Sequence, residues 1–531
     1  MKVTNYSKNK TEVYLTRYKK KGILRIIFSR IAFIILLLII QINIIYLVFD
    51  AFQQYVPYYR IFMSFFSIVM IFYLFNNDMD SSAKLTWMII IAIFPVPGSL
   101  FLAFTQLEIG HRALKKRMQR VIEETRNILP EQEDVMDELK DDTSGLVELC
   151  TYLNKTGCFR VYKNSAVTYF NSGEDMFEAL IEELHKAKDF IFLEYFIISE
   201  GHMWGRILKT LIDKVNEGVE VRVLYDGMCE MSLLPHDYAE RLRTFGIDAK
   251  TFSPIHPFVS TYYNYRDHRK ILVIDGKVAF NGGINLADEY INRKARFGHW
   301  KDTAVMVKGD AVKEYTLMFM QMWSSDLENV NLGKYLDVPT DKKIIKENPE
   351  GYVIPYSDIP LDEEKVGENV YIDVLNRARK YVHIMTPYLI LDDELLNSIR
   401  YAATRGIEVS IILPGIPDKK MAYALAKSHY KRLINAGVNI YEYEPGFVHA
   451  KNFSSDDVKA IVGSINLDYR SLYHHFECAT YMYKTRSVKY IEEDFQNTLK
   501  KCRKITPESI KNEKLFYKVA GTIVKLVAPL M

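Results

Sequence analysis

The sequence predicts an α/β protein made of two tandem repeats, each a mostly parallel sheet flanked by helices, related by pseudo-twofold symmetry and preceded by N-terminal membrane helices. Three observations lead there. A strand-helix-strand order occurs twice, a short polar motif recurs at the same place in both copies, and an apolar first hundred residues precede a mixed remainder. At 531 residues the chain exceeds one ordinary core and calls for two or three domains.

The apolar region comes first. Ile31 to Phe49 carries no charge and is long enough for a bilayer core of ~30 Å at ~1.5 Å per residue. Lys19, Lys20, Lys21, Arg25 and Arg30 precede it, which keeps the N-terminus in the cytoplasm. The run is too long for a signal peptide and no small-x-small site closes it. A second segment runs from Ile61 to Phe75 and a third from Leu85 to Phe104, the latter broken by Pro95, Pro97 and Gly98. His111 to Arg120 is as basic as the N-terminal flank, so an even number of crossings fits. The reading is a membrane-anchoring region over 1–110, with spans near 31–49 and 58–76 and a Pro-broken segment near 85–106 that bends back or lies at the interface.

A basic then acidic linker over 111–165 leads into the α/β part. In the first repeat, 166–328, HKAKDFIFLEYFII from His185 is a basic helix end running into an apolar strand. LIDKVNEGVEVRVLYDG is an amphipathic helix, a stop at Gly218 and a second buried strand, and RTFGIDAKTFSP gives a third strand after Gly246. In the second repeat, 352–502, NRARKYVHIMTPYLI, AATRGIEVSIILPG and INAGVNIYEYEP follow in the same order. Strands alternating with helices imply parallel pairing with both sheet faces covered.

Each repeat then carries a hairpin. HRKILVIDGKVAFNGGIN, His268 to Asn285, has an apolar strand, an Asp275-Gly276 dipeptide suited to a two-residue turn, and a returning strand from Val278 to Phe280. HAKNFSSDDVKAIVGSIN, His449 to Asn466, superposes on it. His268 falls on His449, Lys270 on Lys451, Asp275 on Asp456, Gly283 on Ser464 and Asn285 on Asn466. One H-x-K-x4-D is weak evidence; two at matching places in a duplicated unit are strong. Pseudo-twofold packing brings both sets to one cleft.

The totals exclude several chemistries. A net charge of +3 gives no global electrostatic case for nucleic acid. Five scattered cysteines without a C-x-x-C pair fit reduced thiols facing the cytosol rather than disulfides or a zinc site. Two His, two Lys and two Asn are poor metal ligands, because ammonium groups repel cations, so neither metal nor cofactor is expected. They suit a phosphate. Lys270 and Lys451 supply charge, while the Asn285 and Asn466 amides, the Ser464 hydroxyl and backbone N–H groups freed by Gly282, Gly283 and Gly463 donate to its oxygens. One imidazole can attack phosphorus while the other protonates the leaving alcohol and later deprotonates the incoming one. A nucleophilic His needs its second ring nitrogen held by an acceptor, and Asp302 and Glu477 are the candidates.

From Phe177 to Asp494 the chain resembles the phospholipase D superfamily, whose signature is the duplicated H-x-K-x4-D. With the apolar N-terminus it is similar to the bacterial cardiolipin synthases of that type. The resemblance implies metal-independent transfer of a phosphatidyl group between two phosphatidylglycerol molecules, giving cardiolipin and glycerol through a phosphohistidine. It implies His268 as nucleophile and His449 as acid/base. The signature counts Asp275 and Asp456 with the catalytic set, while their place at the hairpin turns reads as structural. The implied partners are phosphatidylglycerol and membrane lipid, without nucleic acid, and the implied place is a bacterial cell membrane, multi-pass, with the catalytic domain cytoplasmic. Hydrolytic phospholipase D, or a membrane-tethered phosphodiesterase or nuclease, is the alternative.

Two departures stand out. Cys229 in YDGMCE sits where a small residue is expected, and Asn452-Phe453-Ser454-Ser455 replaces the apolar ILVI of the first hairpin. The C-terminal segment, 506–531, spaces Leu515, Val519, Thr522 and Leu526 at helical intervals among Lys514, Lys518 and Lys525, which suits a helix on an anionic membrane or one packed on the core. His256, His299, His474 and His475 have no catalytic partner in the repeat pattern and read as structural.

Overall fold

The structure, a computed structural model, describes residues 7–8, 11–15, 43, 46–47, 59–77, 79–106, 109–254, 265–325, 332–347, 349–362 and 364–528. Two large sheets organise it. The first contains β1 (Ser165–Phe170), β2 (Phe190–Tyr195), β3 (Glu220–Asp226), β4 (Asp248–Phe252), β5 (Lys270–Ile274), β6 (Val278–Gly282) and β7 (Ala304–Gly309), in the order β1-β7-β6-β5-β2-β3-β4. The second contains β8 (Tyr352–Asp358), β9 (Tyr381–Met385), β10 (Glu408–Pro414), β11 (Asn439–Tyr443), β12 (Asn452–Ser455), β13 (Lys459–Gly463) and β14 (His475–Tyr483). Its order is β8-β14-β13-β12-β9-β10-β11, with Cys502–Lys504 added at the far edge. The two orders match strand for strand.

The sheets are mixed rather than mostly parallel. Only β2-β3-β4 and β9-β10-β11 run parallel within their sheets, joined by the helices that the sequence predicts. The other strands of each repeat pair antiparallel. The cause is the motif hairpin, whose two strands are joined too tightly to run parallel and enter the sheet beside β2 or β9. Ile274 pairs with Val278 and Ser455 with Lys459, so each hairpin closes over three residues, not two. Asp275, Gly276, Asp456 and Asp457 all take positive φ there.

Local rules explain the helices. The helix Gly173–Lys186 is capped by Ser172, begins with Glu174 and Asp175 and ends with His185 and Lys186, in line with its dipole. Its Met176, Phe177, Leu180, Ile181 and Leu184 are buried at helical spacing, facing the sheet. The stretch read as a linker is itself helical, and Leu146, Leu149 and Leu153 bury the face of its last helix, Leu146–Gly157. One apolar cluster runs through both repeats and includes the buried Tyr315, Met318, Phe319 and Met322 of the helix Val312–Trp323.

At the N-terminus, the candidate span Ile31 to Phe49 lies almost wholly outside the described residues. The second candidate forms the 17-residue helix Tyr59–Phe75, and the third divides into Ser81–Ile93 and Pro95–Gln106. Among the described residues no helix is long and apolar enough to cross a membrane. Seventeen residues rise only ~25 Å, and Pro95 ends the next helix before it gains length. Phe65, Phe72, Phe75, Leu85, Ile93 and Phe101 on these helices are nevertheless exposed. The C-terminal helix Leu515–Val527 packs on the core along one face. Its Ala520 and Val524 are buried, and Gly521 lies so close to the Ala424 carbonyl that a Cβ would come within 2.5 Å of it. Leu515, Phe516, Val519, Ile523 and Leu526 on the same helix are exposed.

Candidate active site

The site is assembled by two short ladders that cross between repeats. Arg266–Asp267, just before His268, pairs in parallel with His475 and Phe476 at the start of β14. Gly446–Val448, just before His449, pairs in parallel with His299–Lys301. Continuing each register by one residue sets His268 beside Glu477 and His449 beside Asp302. The main chain carries this on, with the His268 N–H donating to the Phe476 carbonyl at 2.9 Å and the His449 N–H to the Lys301 carbonyl at 2.7 Å. Each motif histidine therefore takes its carboxylate from the other repeat.

The side chains complete the exchange. Nδ1 of His268 lies 2.9 and 3.0 Å from the two Glu477 oxygens, and Nδ1 of His449 lies 2.7 Å from Asp302 Oδ2. A proton on each Nδ1 leaves Nε2 with its lone pair, the tautomer a nucleophile or base requires. Glu477 is held in turn by the Ser464 and Ser471 hydroxyls, and Asp302 accepts the Thr303 N–H at 2.8 Å.

Both rings and both ammonium groups are buried, with His268 6%, Lys270 1%, His449 7% and Lys451 2% exposed. Burial pushes His268 well below the usual imidazole value; the attraction of Glu477 opposes this and the Lys270 charge adds to it. His449 is pushed down to about 4, first by burial and then by Lys451, against the pull of Asp302. Burial also brings Lys270 down to about 8 and Lys451 to about 7. Lys270 acts on both His449 and Lys451, so the two motif sets share one site. The site thus gathers cations that its own carboxylates do not fully stabilise, which favours an anionic ligand.

The remaining predicted residues divide by role. Asp275 accepts the N–H groups of Lys188, Asp189 and Phe190 at 2.8–2.9 Å, and Asp456 those of Arg379, Lys380 and Tyr381 at 2.8–3.0 Å. Both tie a hairpin turn to the start of the neighbouring strand, at the end of the hairpin away from the histidines. Asn285 accepts from Ile197 N–H and donates to the Tyr290 hydroxyl at 2.7 Å, which leaves one amide hydrogen for a ligand. Asn466 is 4% exposed and its Oδ1 has no hydrogen-bond partner. The Ser464 hydroxyl, expected on a phosphate, donates to Glu477 instead. At the equivalent Gly283 a Cβ would lie 2.2 Å from Asp302 Oδ1, so glycine there makes room for the carboxylate.

Two site residues escape the sequence pattern. His475 lies with its ring 5.2 Å from His268 and its Nδ1 3.6 Å from Glu477, so it belongs to the site rather than to the scaffold. Trp300 holds the equivalent position in the other ladder, 5.3 Å from His449, with its buried indole N–H unpartnered. Their signal was the spacing, two residues ahead of Glu477 and Asp302. His268, His475 and Glu477 also bring ligand atoms within 4.8 Å of one another, but the buried Lys270 ammonium beside them opposes a cation.

The sequence comparisons agree with this geometry. A family described as "Cardiolipin synthase, PLD-like domain" matches residues 180–323 and again 371–499. A protein of Streptococcus mutans named "Uncharacterized protein" is 56% identical, over 87% of this chain and 99% of its own length. The cardiolipin synthase of Alkalihalophilus pseudofirmus is 33% identical, over 86% of this chain and 91% of its own. Among solved structures, phosphatidylserine synthase of Haemophilus influenzae matches with a TM-score of 0.52 at 17% identity, over 68% of this chain and 93% of that one, a likeness in fold. Two copies of one domain, joined through a shared histidine site and matched along most of the length of such relatives, mean that the chain belongs to the cardiolipin synthases of the phospholipase D superfamily.

Proposed function

We propose that the protein is a cardiolipin synthase that transfers a phosphatidyl group from one phosphatidylglycerol to a second, releasing glycerol. The observation that carries this is the pair of crossed His–carboxylate contacts around two buried ammonium groups. In the first step Nε2 of His268 attacks phosphorus and the bond to the glycerol oxygen breaks. His449, protonated because the bound phosphodiester charge raises its proton affinity, gives its Nε2 proton to that oxygen. The result is a phosphatidyl-histidine and a neutral His449. In the second step His449 removes the proton of an incoming phosphatidylglycerol hydroxyl, whose oxygen displaces Nε2 of His268 and forms cardiolipin. Glu477, gripping with both oxygens, suits His268 to the nucleophilic role. The pseudo-twofold relation of the repeats accounts for both histidines being oriented alike.

The substrate side is a membrane. The exposed rows on Tyr59–Phe75, Ser81–Ile93 and the C-terminal helix support contact with lipid, and Thr86 bonds the Leu526 carbonyl at 2.8 Å, which joins the two regions. The reading is a bacterial cell-membrane enzyme with its catalytic part in the cytoplasm. Incubating the membrane fraction with labelled phosphatidylglycerol and a chelator tests it. Cardiolipin with free glycerol supports the proposal, phosphatidic acid indicates hydrolysis, and strict dependence on added divalent metal overturns the two-histidine mechanism.

A further inference from the structure

The second hairpin departs from the first in a way the catalytic site does not use. Register places Lys459 at the position held by Val278 in the first repeat, opposite Ser455 where the first repeat has Ile274. Lys459 is 4% exposed, and its ammonium reaches the Ser144 carbonyl only at 3.4 Å. The first repeat builds the same hairpin with a valine, so the architecture does not require a buried charge here. Among the described residues no carboxylate comes within ion-pair distance of it, and Asp373, the acid that attracts it most, is itself paired with Arg377 at 2.6 Å, so a buried ammonium here is costly and asks for an anion.

The surroundings supply the rest of such a site. Lys459 lines a cavity of about 580 Å³ together with Ser144, Arg379, Lys380 and Lys484. The Ser144 hydroxyl oxygen is buried without a hydrogen-bond partner, and so is that of Ser455, the cross-strand neighbour of Lys459 on the same sheet face. Asp456 already accepts from three main-chain N–H groups and Asp142 from Lys484 and Tyr483, while Asp141 is exposed. The Arg379 and Lys380 side chains are exposed at the cavity. The helix Leu146–Gly157 starts beside it at Gly145 with no side-chain cap, so its positive end adds to the field. Lys459 and Gly463 lie four steps apart on one strand, roughly 13 Å, so the cavity lies at the end of the hairpin remote from Ser464 and the motif histidines.

We infer that this cavity is a second anion-binding site, built around Lys459, Ser144, Arg379 and Lys380 for a phosphate-bearing group and separate from the catalytic cleft. The group is the phosphate of an anionic lipid headgroup or a soluble phosphate. The test is titration of the full-length protein in detergent with inorganic phosphate, on a His449→Ala, Lys451→Met background that weakens the cleft. Lys459→Val, which copies the first repeat, and the surface pair Arg379→Gln with Lys380→Gln should each weaken binding at least tenfold. With the catalytic residues intact, Lys459→Val should keep its transfer rate within twofold. Sedimentation with phosphatidylglycerol and with phosphatidylcholine vesicles separates the sources. Weaker binding of the variants to phosphatidylglycerol vesicles alone identifies a lipid phosphate, and equal vesicle binding with weaker phosphate binding identifies a soluble one. Variants that titrate and sediment like their parent overturn the site. Binding is read without turnover, so the outcome does not depend on the proposed transfer reaction.

Discussion

The two buried lysines should set the alkaline limit of activity. Lys451, at about 7, and Lys270, at about 8, lose their charge well below the usual lysine range. On the proposed reading the cradle for the substrate phosphate then discharges as pH rises. At pH 9, two units above Lys451, about 1% of its ammonium remains, so kcat/KM should fall roughly 100-fold from its plateau through that group alone. A bound phosphodiester raises both values, which displaces the limb in kcat to higher pH. Lys451→Arg keeps its charge throughout and should leave only the limb that Lys270 imposes near pH 8. Stability moves the other way. A lysine whose folded value is depressed binds more protons in the unfolded chain between its folded and ordinary values, so the unfolding free energy rises with pH across that window. Alkaline loss of rate from lysine titration is thus accompanied by equal or greater thermal stability, and loss from unfolding is accompanied by less. The assay is initial-rate cardiolipin formation in mixed micelles from pH 5.5 to 9.5, with thermal unfolding in the same buffers. A wild-type kcat/KM that stays level through pH 9 refutes the reasoning, whatever the variant does.

Three further outcomes follow from the contacts. Glu477→Gln and Asp302→Asn each replace an anionic, acceptor-only partner of Nδ1 by a neutral amide that can donate to it, and should lower kcat by about 10² to 10⁴ with little change in KM. Trapping of label on His268 should fail in Glu477→Gln, and normal trapping there would remove Glu477 from its role. Asp456→Ala leaves three main-chain N–H groups without their acceptor and should cost roughly 2–4 kcal/mol of stability by chemical denaturation, while activity survives in the cold. His475→Ala removes a neighbour that lowers the His268 value and shares Glu477 with it, so the acidic limb of kcat/KM should move to higher pH. An unmoved limb would make His475 a packing residue.

The duplicated hairpins, the order of strands and helices and the turn aspartates are all legible along the chain, because each is encoded by residues that follow one another in sequence. The sheet direction is not, because alternation with helices says nothing of two strands that enter as a tight hairpin. Nor could the sequence separate Ser464 from a phosphate ligand, since its hydroxyl suits either a phosphate oxygen or the carboxylate it meets, Glu477. His475 looked idle for the same reason, its partner lying more than two hundred residues away on the other sheet.

The crossed carboxylates are the deepest of these omissions, and they explain why the motif is doubled. Glu477 follows its own hairpin in sequence yet serves His268, and Asp302 likewise serves His449. Either repeat alone would hold a histidine without its carboxylate and a carboxylate without its histidine. The second copy is therefore more than a second phosphate clamp. Docking of the repeats fixes the register of both short ladders, and that register brings each ring to its carboxylate. On the proposed mechanism catalytic competence is a property of the interface, so a substitution that shifts Trp300 or Phe476 without touching a reacting atom should act on both half-reactions together.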